Sequence, residues 1–518
     1  MSVDTFSIRA PLLHEFIPLH ARWYPNKTAL IDEQQSLTWS ELEVRSNQVA
    51  NGLIASGIRK GESVAILMSN TVEYAEILYG ILKAGAVAVP LNLSVNAAGI
   101  RNMLADAAVK VLFFDGQTET LARAANAESS LNDMLHWQHG GSDNNYSVWR
   151  NAQSASASPV DVAEDDIVNI IYSSGTTGSP KGIKHSARRR TQSMYELGMA
   201  HRYHFGAISI CPIGLYSNIA WASLFCALIV GGTCVIQDGF TPEKWIAAVE
   251  QHGVTHTMGV PLQLQKIIDD PSFKPERVAS MQAIVSGGSP LYAGLKNRLM
   301  EAMDCAIIEL YGLTEGFMTT LQPEEAEGRL TSVGKPVRGH DYVIVSNDDR
   351  VMPWGEAGEI CVRSVHWMVE YHNKTPETKD AMFFDERGTQ WLRTGDIGKT
   401  DEDGYLYIVD RKKDMILSGG QNIYPADIEA IVIEHPAISE VSVIGIPHEK
   451  WGETPLALVV PTAERSDIDT DALKTWINER VGKRQRVHAV ALVDGLPRNP
   501  NGKVLKRNLR EQFRGYGV

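Results

Sequence analysis

The sequence predicts an α/β protein: a large N-terminal domain of layered α/β subdomains, followed by a smaller α+β C-terminal domain. Three observations lead there. Strand-like apolar runs alternate with helix-like runs for about four hundred residues. A second, compact pattern of short strands and helices begins near Asp410. The chain has 518 residues and 44% hydrophobic content, enough for more than one core.

In chain order, VAILMS (64–69) reads as a buried strand, EYAEILYGILKAG as a helix, and AVAVPLN and KVLFFD as further strands. The segment 125–160 is rich in Ser, Asn, Ala and Asp and lacks periodicity, so a surface excursion is expected there. AWASLFCALIVGGTCVI (220–236) is slightly short for a membrane span, and Gly231-Gly232 divides it into a helix and a strand of the core. TCVIQD, VTHTMGVP, QAIVSGG and AIIELYG continue the alternation. A boundary near Asp410 gives domains 1–409 and 410–518, with GYLYIVDRKKDMILSGG read as a hairpin turned by DRKKD. Beyond it come a helix from about Pro425 to His435, strands EVSVIGI and PLALVV, helix DALKTWINERV and strand AVALVD, a domain of ordinary size. Asn499-Pro500-Asn501-Gly502 is a turn, and Leu505, Leu509 and Phe513 anchor one face of a last helix.

The net charge of −13 provides no global field for a polyanion, which argues against nucleic-acid binding. The five cysteines, at 211, 226, 234, 305 and 361, show no CxxC spacing and read as reduced thiols of a cytoplasmic protein. MSVDTFSIRA lacks the pattern of a secretory signal.

YSSGTTGSPKG (172–182) has the composition of a phosphate-wrapping loop. Glycines let the backbone approach, backbone N–H groups and Ser/Thr hydroxyls donate, and Lys181 adds a positive charge. It is not the P-loop pattern, because Lys181 lies between Pro180 and Gly182. A flexible connection is the ordinary alternative for such a loop. Together with YGLTE (311–315), WLRTGD (391–396), DEDGYLYIVDRKKD and the final NGK, however, the loop resembles the adenylate-forming superfamily of acyl-CoA synthetases, adenylation domains and luciferases. YPNKTAL (24–30), LTWSEL (37–42), AGAVAVPLN (84–92) and GKVLKRNLR (502–510) extend the resemblance over nearly the whole chain.

The resemblance implies an AMP-forming acid–thiol ligase that uses ATP, Mg2+ and coenzyme A. It implies that Ser173, Ser174, Gly175, Thr176, Thr177, Gly178 and Lys181 cover the β- and γ-phosphates, that Thr314 meets the α-phosphate, and that Glu315 holds the metal. The resemblance further implies that Asp396 takes the ribose hydroxyls with help from Arg411, that Tyr311 stacks on adenine, and that Gly287, Gly288, Ser289 and Gly312 border adenine and acyl group. By the same resemblance Lys503 is expected to bridge the carboxylate and a phosphate oxygen. The small domain is expected to be mobile, turning at Asp410 to exchange Lys503 for Gly419 and Gly420, beside which a pantetheine arm passes.

The acyl pocket is expected to be lined by Tyr216, Trp221, Met258, Phe317 and Met318, with Tyr216 or Leu215 as its gate. These apolar, partly aromatic side chains suit a hydrophobic or aryl acid, although each is equally an ordinary core residue. CPIGLYSNIAW (211–221) contains no acid to pair with an α-ammonium, which weighs against an amino-acid adenylation domain. The alternatives are a ligase that passes the acyl group to an amine, a stand-alone adenylation enzyme, or an inert ATP-binding relative; intact Lys503, Glu315 and Lys181 oppose the last. The expected partners are the acid, ATP and CoA, with no membrane span; a homodimer is left open. KGIKHSARRR (181–190) reads as a solvated face in preference to a site for CoA phosphates, and Lys483, Arg484 and Arg486 are read in the same way.

Overall fold

The computed structural model describes residues 9–127, 146–173, 180–418, 421–462, 468–498 and 503–516. Two sheets with helices on both faces make up the bulk of the large domain. One has five strands, ordered Val111–Phe114, Ser63–Leu67, Val87–Pro90, Ile167–Ser173 and Lys181–Ser186. The other has nine, with Ala306–Gly312, Ala283–Gly287, His256–Gly259, Ile208–Cys211 and Thr233–Ile236 as consecutive parallel neighbours at its centre. Strands buried on both faces need no polar alternation, which is why they stand in the sequence as continuous apolar runs.

Helices Val72–Lys83 and Asn218–Ile229 lie in the layer between these sheets, where one cluster joins Val64 and Ile66 to Cys211, Cys234 and Met258. All 12 residues of Val72–Lys83 are buried, so its charged members must be paired. Glu76 meets Arg150 at 2.6 Å and Arg45 at 3.5 Å, and Lys83 meets Glu43 at 2.5 Å. Thr71 caps this helix by accepting from Tyr74 N, and Thr38 and Glu41 form a capping box on helix Trp39–Ala55. The segment 220–236 is helix Asn218–Ile229 followed by strand Thr233–Ile236, with Gly231 turning the chain at φ 75°. Of the expected excursion, 128–145 lies outside the described residues, and Tyr146–Asn151 is a short helix with Tyr146 buried.

A third, antiparallel sheet contains His340–Val345, Gly358–Ser364, Gln390–Thr400, Met382–Phe384 and Leu406–Arg411. The small domain is built on a fourth sheet of Gln421–Ile423, Ile416–Ser418, Gly452–Pro461, Ile438–His448 and Ala489–Leu492, with its own core. The hairpin expected around DRKKD is not formed. Its first arm, Leu406–Arg411, pairs with Gln390–Thr400 in the third sheet, and its second, Ile416–Ser418, belongs to the fourth. Ile408 and Ile416 pack into different cores, so the charged turn is the crossing between them. The last helix is Lys506–Gln512, held by buried Leu509 and partly buried Phe513.

All five cysteines are free, and Cys211, Cys226 and Cys234 are buried between the two large sheets. Among the described residues, no helix is long and apolar enough to cross a membrane.

Candidate active site

The carboxyl ends of the central parallel strands gather the sequence motifs, as expected for an open α/β sheet. Ala283–Gly287 and Ala306–Gly312 run side by side with Gly287 opposite Leu310, so SGGSP and YGLTE leave the same edge. A side chain at Gly287 would come within 3.1 Å of Leu310 O, and Gly288 holds φ 84°. Both glycines therefore answer to the backbone geometry of this rim. The buried ion pair Lys296–Glu309 ties helix Ala293–Ala302 to the strand just before Tyr311.

Asp396 reaches this rim from the third sheet. Tyr311 donates its hydroxyl to Asp396 Oδ2 at 2.7 Å, and Arg411 Nε lies 2.8 Å from Oδ1. That second contact is an ion pair without hydrogen-bond alignment, which leaves Oδ1 a buried acceptor with no aligned donor among the described residues. A sugar hydroxyl is the kind of donor it lacks. The Lys503 ammonium stands within electrostatic reach of Arg411, Asp396, Lys413 and Asp414, and burial, followed by Arg411, lowers its pKa to about 7. Lys503 and Asp396 are far apart in sequence, and the pose of the small domain brings them to one place.

Glu315 points to a neighbouring position. Its Oε1 accepts from Tyr371 Oη at 2.8 Å, and its carbonyl accepts from Met368 N at 2.6 Å. Lys181 Nζ lies 4.7 Å from the centre of the same Tyr371 ring. Ser173 pairs with Lys181 across the ladder, so the intervening loop is held at both ends. Ser174, Gly175, Thr176, Thr177 and Gly178 of that loop lie outside the described residues, as do Gly419 and Gly420. No group of three or more His, Cys, Asp or Glu side chains able to hold a metal occurs among the described residues. A cation here would need one carboxylate plus phosphate and water oxygens, the donor set Mg2+ prefers.

The structure separates the expected pocket residues. Tyr216 is partly exposed, whereas Leu215 is fully buried, its N–H on Asn70 Oδ1 and its carbonyl taken by Tyr74 and Trp221. Of the two gate candidates, only Tyr216 reaches solvent. Trp221 and Met258 are fully buried in the core between the sheets. Met318 is 6% exposed in that core, and Phe317 belongs to the cluster under the third sheet with Ile183, Ile344 and Ile360. Gly312 is exposed and Ser289 is partly exposed.

Sequence reasoning missed Tyr371, which touches Glu315 and sits under Lys181 although it is remote from both in the chain. A lone tyrosine in EYHNK carries no signal for that role. Removing its hydroxyl frees the Glu315 carboxylate to turn. If Glu315 holds Mg2+, as the sequence resemblance implies, Tyr371→Phe is expected to raise the Mg2+ concentration needed for half-maximal ATP binding about 10–100-fold, the usual effect of losing an outer partner of a metal ligand, as read by calorimetric titration at graded Mg2+. The run 181–190 also differs from its expectation. Lys184 pairs with Glu370 at 2.8 Å, Arg189 donates to the carbonyls of Trp367 and Met368, and Arg190 is buried, so the basic side chains of this run are packed or paired and none is fully exposed. Polar partners on 366–370 and in the core, invisible to local composition, account for it.

Residues 18–372 match the model of the AMP-binding enzyme family, and 427–503 match the C-terminal domain of the AMP-binding enzymes. The chain belongs to the AMP-binding enzyme family. It is 32% identical over 480 residues to the long-chain-fatty-acid–CoA ligase FadD13 of Mycobacterium tuberculosis, covering 92% of this chain and 93% of that one. It is 32% identical over 500 residues to the feruloyl-CoA synthase of Amycolatopsis sp, covering 95% and 97%. The crystal structure of ATP-bound MatB from Rhodopseudomonas palustris superposes with a TM-score of 0.87 at 27% identity, covering 96% and 99%. As a member of the AMP-binding enzymes with acyl-CoA ligases among its relatives, the chain is an AMP-forming acid–thiol ligase that works on ATP, a carboxylic acid and CoA.

Proposed function

We propose that this ligase activates a hydrophobic or aromatic carboxylic acid to its acyl-adenylate and then transfers the acyl group to the thiol of CoA. The convergence of Lys503 on the Asp396–Arg411 pair carries this reading, because it is the arrangement the first half-reaction needs. There, the acid's carboxylate attacks the α-phosphorus of ATP and pyrophosphate leaves. Two anions approach one another, so cations and donors must face the developing charge. Lys503 neutralises the carboxylate and a phosphate oxygen, Lys181 and its loop hold the β- and γ-phosphates, Thr314 donates to the α-phosphate, and Asp396 with Arg411 fixes the ribose. Tyr311, Gly287, Gly288, Ser289 and Gly312 border the adenine. Glu315, braced by Tyr371, would hold Mg2+, which when bound offsets charge on the phosphate oxygens.

Residues 1–409 act as the body and 410–518 as a mobile domain, with Asp410 as the hinge. Its backbone is in the third sheet opposite Ile397, but its Oδ2 accepts from Ala426 N in the first turn of helix Pro425–Val432. Rotation about Asp410 withdraws Lys503 and presents Gly419 and Gly420 to the pantetheine arm. Asp410→Pro restricts φ and removes the ladder donor and the cap. At about 3 kcal/mol, the change is expected to slow one half-reaction by roughly two powers of ten while the other stays near normal. Pyrophosphate exchange and thiolysis of presynthesised adenylate, measured separately, check this; two unchanged rates would remove Asp410 as the hinge. The free state of all five cysteines supports a reducing cytoplasmic setting.

The deciding experiment is pyrophosphate exchange over a panel of acids, followed by mass spectrometry of products formed with CoA or with amines. Thioester formation supports the proposal. Exchange with amide formation and no thioester would transfer the second half-reaction to an amine acceptor, and no exchange with any acid would end the reading.

A further inference from the structure

Arg190 is 2% exposed, on helix Ala187–Ala200 between the two large sheets. Its Nε donates to Asn169 Oδ1 at 3.1 Å, Nη1 to Asn218 Oδ1 at 2.6 Å, and Nη2 to His185 Nδ1 at 2.9 Å. All three partners are neutral. No carboxylate pairs with it among the described residues, and burial alone lowers its pKa to about 9. The guanidinium carbon stands 5.4 Å from the Trp221 ring centre. Burying a cation without a counter-ion is strongly unfavourable, so a folded protein that keeps one has a use for its field.

The network fixes the direction of each member. A guanidinium has donors and no acceptor, so Asn218 must turn its oxygen toward Arg190 and its Nδ2 the other way. His185 Nδ1 receives from Arg190 and also lies 3.0 Å from Asn169 Nδ2, so the ring proton sits on Nε2 and is donated to Thr314 O at 2.9 Å. Asn218 is the first residue of helix Asn218–Ile229, partly exposed between Tyr216 and Ile219. Ile219 Cδ1 would lie 3.6 Å from a side-chain carbon at Gly287, which places this turn against the rim of the site. No described hydrogen bond uses Asn218 Nδ2. An imidazole and a guanidinium separate it from Thr314, so a group that meets it is distant from the reacting carboxylate.

We infer that Asn218 is a specificity-determining residue whose Nδ2 donates to an oxygen acceptor on the acyl substrate, remote from the activated carboxylate, with Arg190 as the positioning residue that sets its orientation. The acid is then one with a carbonyl, ether, hydroxyl or second carboxylate oxygen toward its far end. This rests on the acid–thiol ligase reading and on the acyl pocket lying beside Tyr216. The positive field behind the amide strengthens its donors and favours an electron-rich partner. A site built to hydrogen-bond its substrate discriminates against analogues that lack the partner, because its polar group is left unpaired.

The test uses the full-length enzyme and acids paired by shape: para-acetylbenzoate against para-isopropylbenzoate, and a medium-chain methyl-ketone acid against its methyl-branched isostere. Pyrophosphate release gives kcat/KM for each. The wild type is expected to favour the acceptor-bearing acid of at least one pair by about tenfold or more. Asn218→Leu is expected to abolish that preference through KM of the acid while KM of ATP is unchanged. Asn218→Asp pairs with Arg190, keeps the fold, and is expected to reverse the preference because it presents only acceptors. An unaltered preference in either variant, or none in the wild type, would overturn the inference while release with any acid left the ligase reading standing. No release with any acid would overturn both.

Discussion

Lys503→Ala is expected to slow acyl-adenylate formation by about 10²–10³-fold while leaving the transfer of a preformed adenylate to thiol near its normal rate. The ammonium lies within electrostatic reach of Arg411, Asp396, Lys413 and Asp414, where the proposed role in the first step would place it. In the proposed rotation about Asp410 the ammonium leaves this place, so the second step should not depend on it. Single-turnover pyrophosphate release and thiolysis of synthetic adenylate separate the two rates, and equal loss of both would remove the lysine from its proposed role.

The same residue gives the docked pose a pH dependence. Burial and neighbouring cations bring Lys503 to about 7, below the usual lysine value of 10.5. The docked state thus binds fewer protons than the undocked state between those limits, and docking without nucleotide becomes harder as pH falls from about 10.5 to about 7, changing little below that. The polyanion ATP favours the charged amine and should remove this dependence. Distance measurements between probes on the two domains, with and without ATP across that range, would show it.

Gly316→Ala is expected to reduce adenylation by about two orders of magnitude without unfolding the protein. Gly316 has φ 108°, and an added side-chain carbon would stand 2.6 Å from His366 O and 2.7 Å from Trp367 Cα. Both are backbone atoms, so the loop must move instead, and Thr314 and Glu315 move with it. A displacement near 1 Å at reacting groups is enough for a loss of that size. Gly253→Ala is the control, since φ is +62° there but nothing lies within 4 Å. Its expected cost is about 1 kcal/mol of stability, with adenylation unchanged. Pyrophosphate release and thermal melts of both variants distinguish a displaced loop from general destabilisation.

Much of this architecture could be read from the chain because burial on both faces leaves apolar runs intact. The strands ending at Gly287 and Gly312 and the helix beginning at Asn218 were visible for that reason. Local patterns do not report which sheet a strand joins. Leu406–Arg411 and Ile416–Ser418 looked like two arms of one ribbon, and tertiary partners placed them in separate domains. Charge was read as solvent exposure at Arg190, which is wrong because Asn169 and Asn218 from two other segments, with His185 five residues earlier, supply neutral acceptors. Phe317 and Met318 were both expected to line the acyl pocket, but they part company: Phe317 fills the core under the third sheet, and Met318 packs into the core between the two large sheets. Tyr371 connects Glu315 and Lys181 only in three dimensions.

The buried sulfurs have a practical consequence for assay design. Burial pushes the Cys211, Cys305 and Cys361 thiols up to about 12, and those of Cys226 and Cys234 well above the ordinary value. Thiolates are the species that attack chromogenic disulfides, so at neutral pH the folded enzyme should scarcely consume such a reagent. Colour developed in a reaction mixture then reports acceptor sulfhydryl alone, and consumption of that sulfhydryl can be followed continuously without blocking a single cysteine.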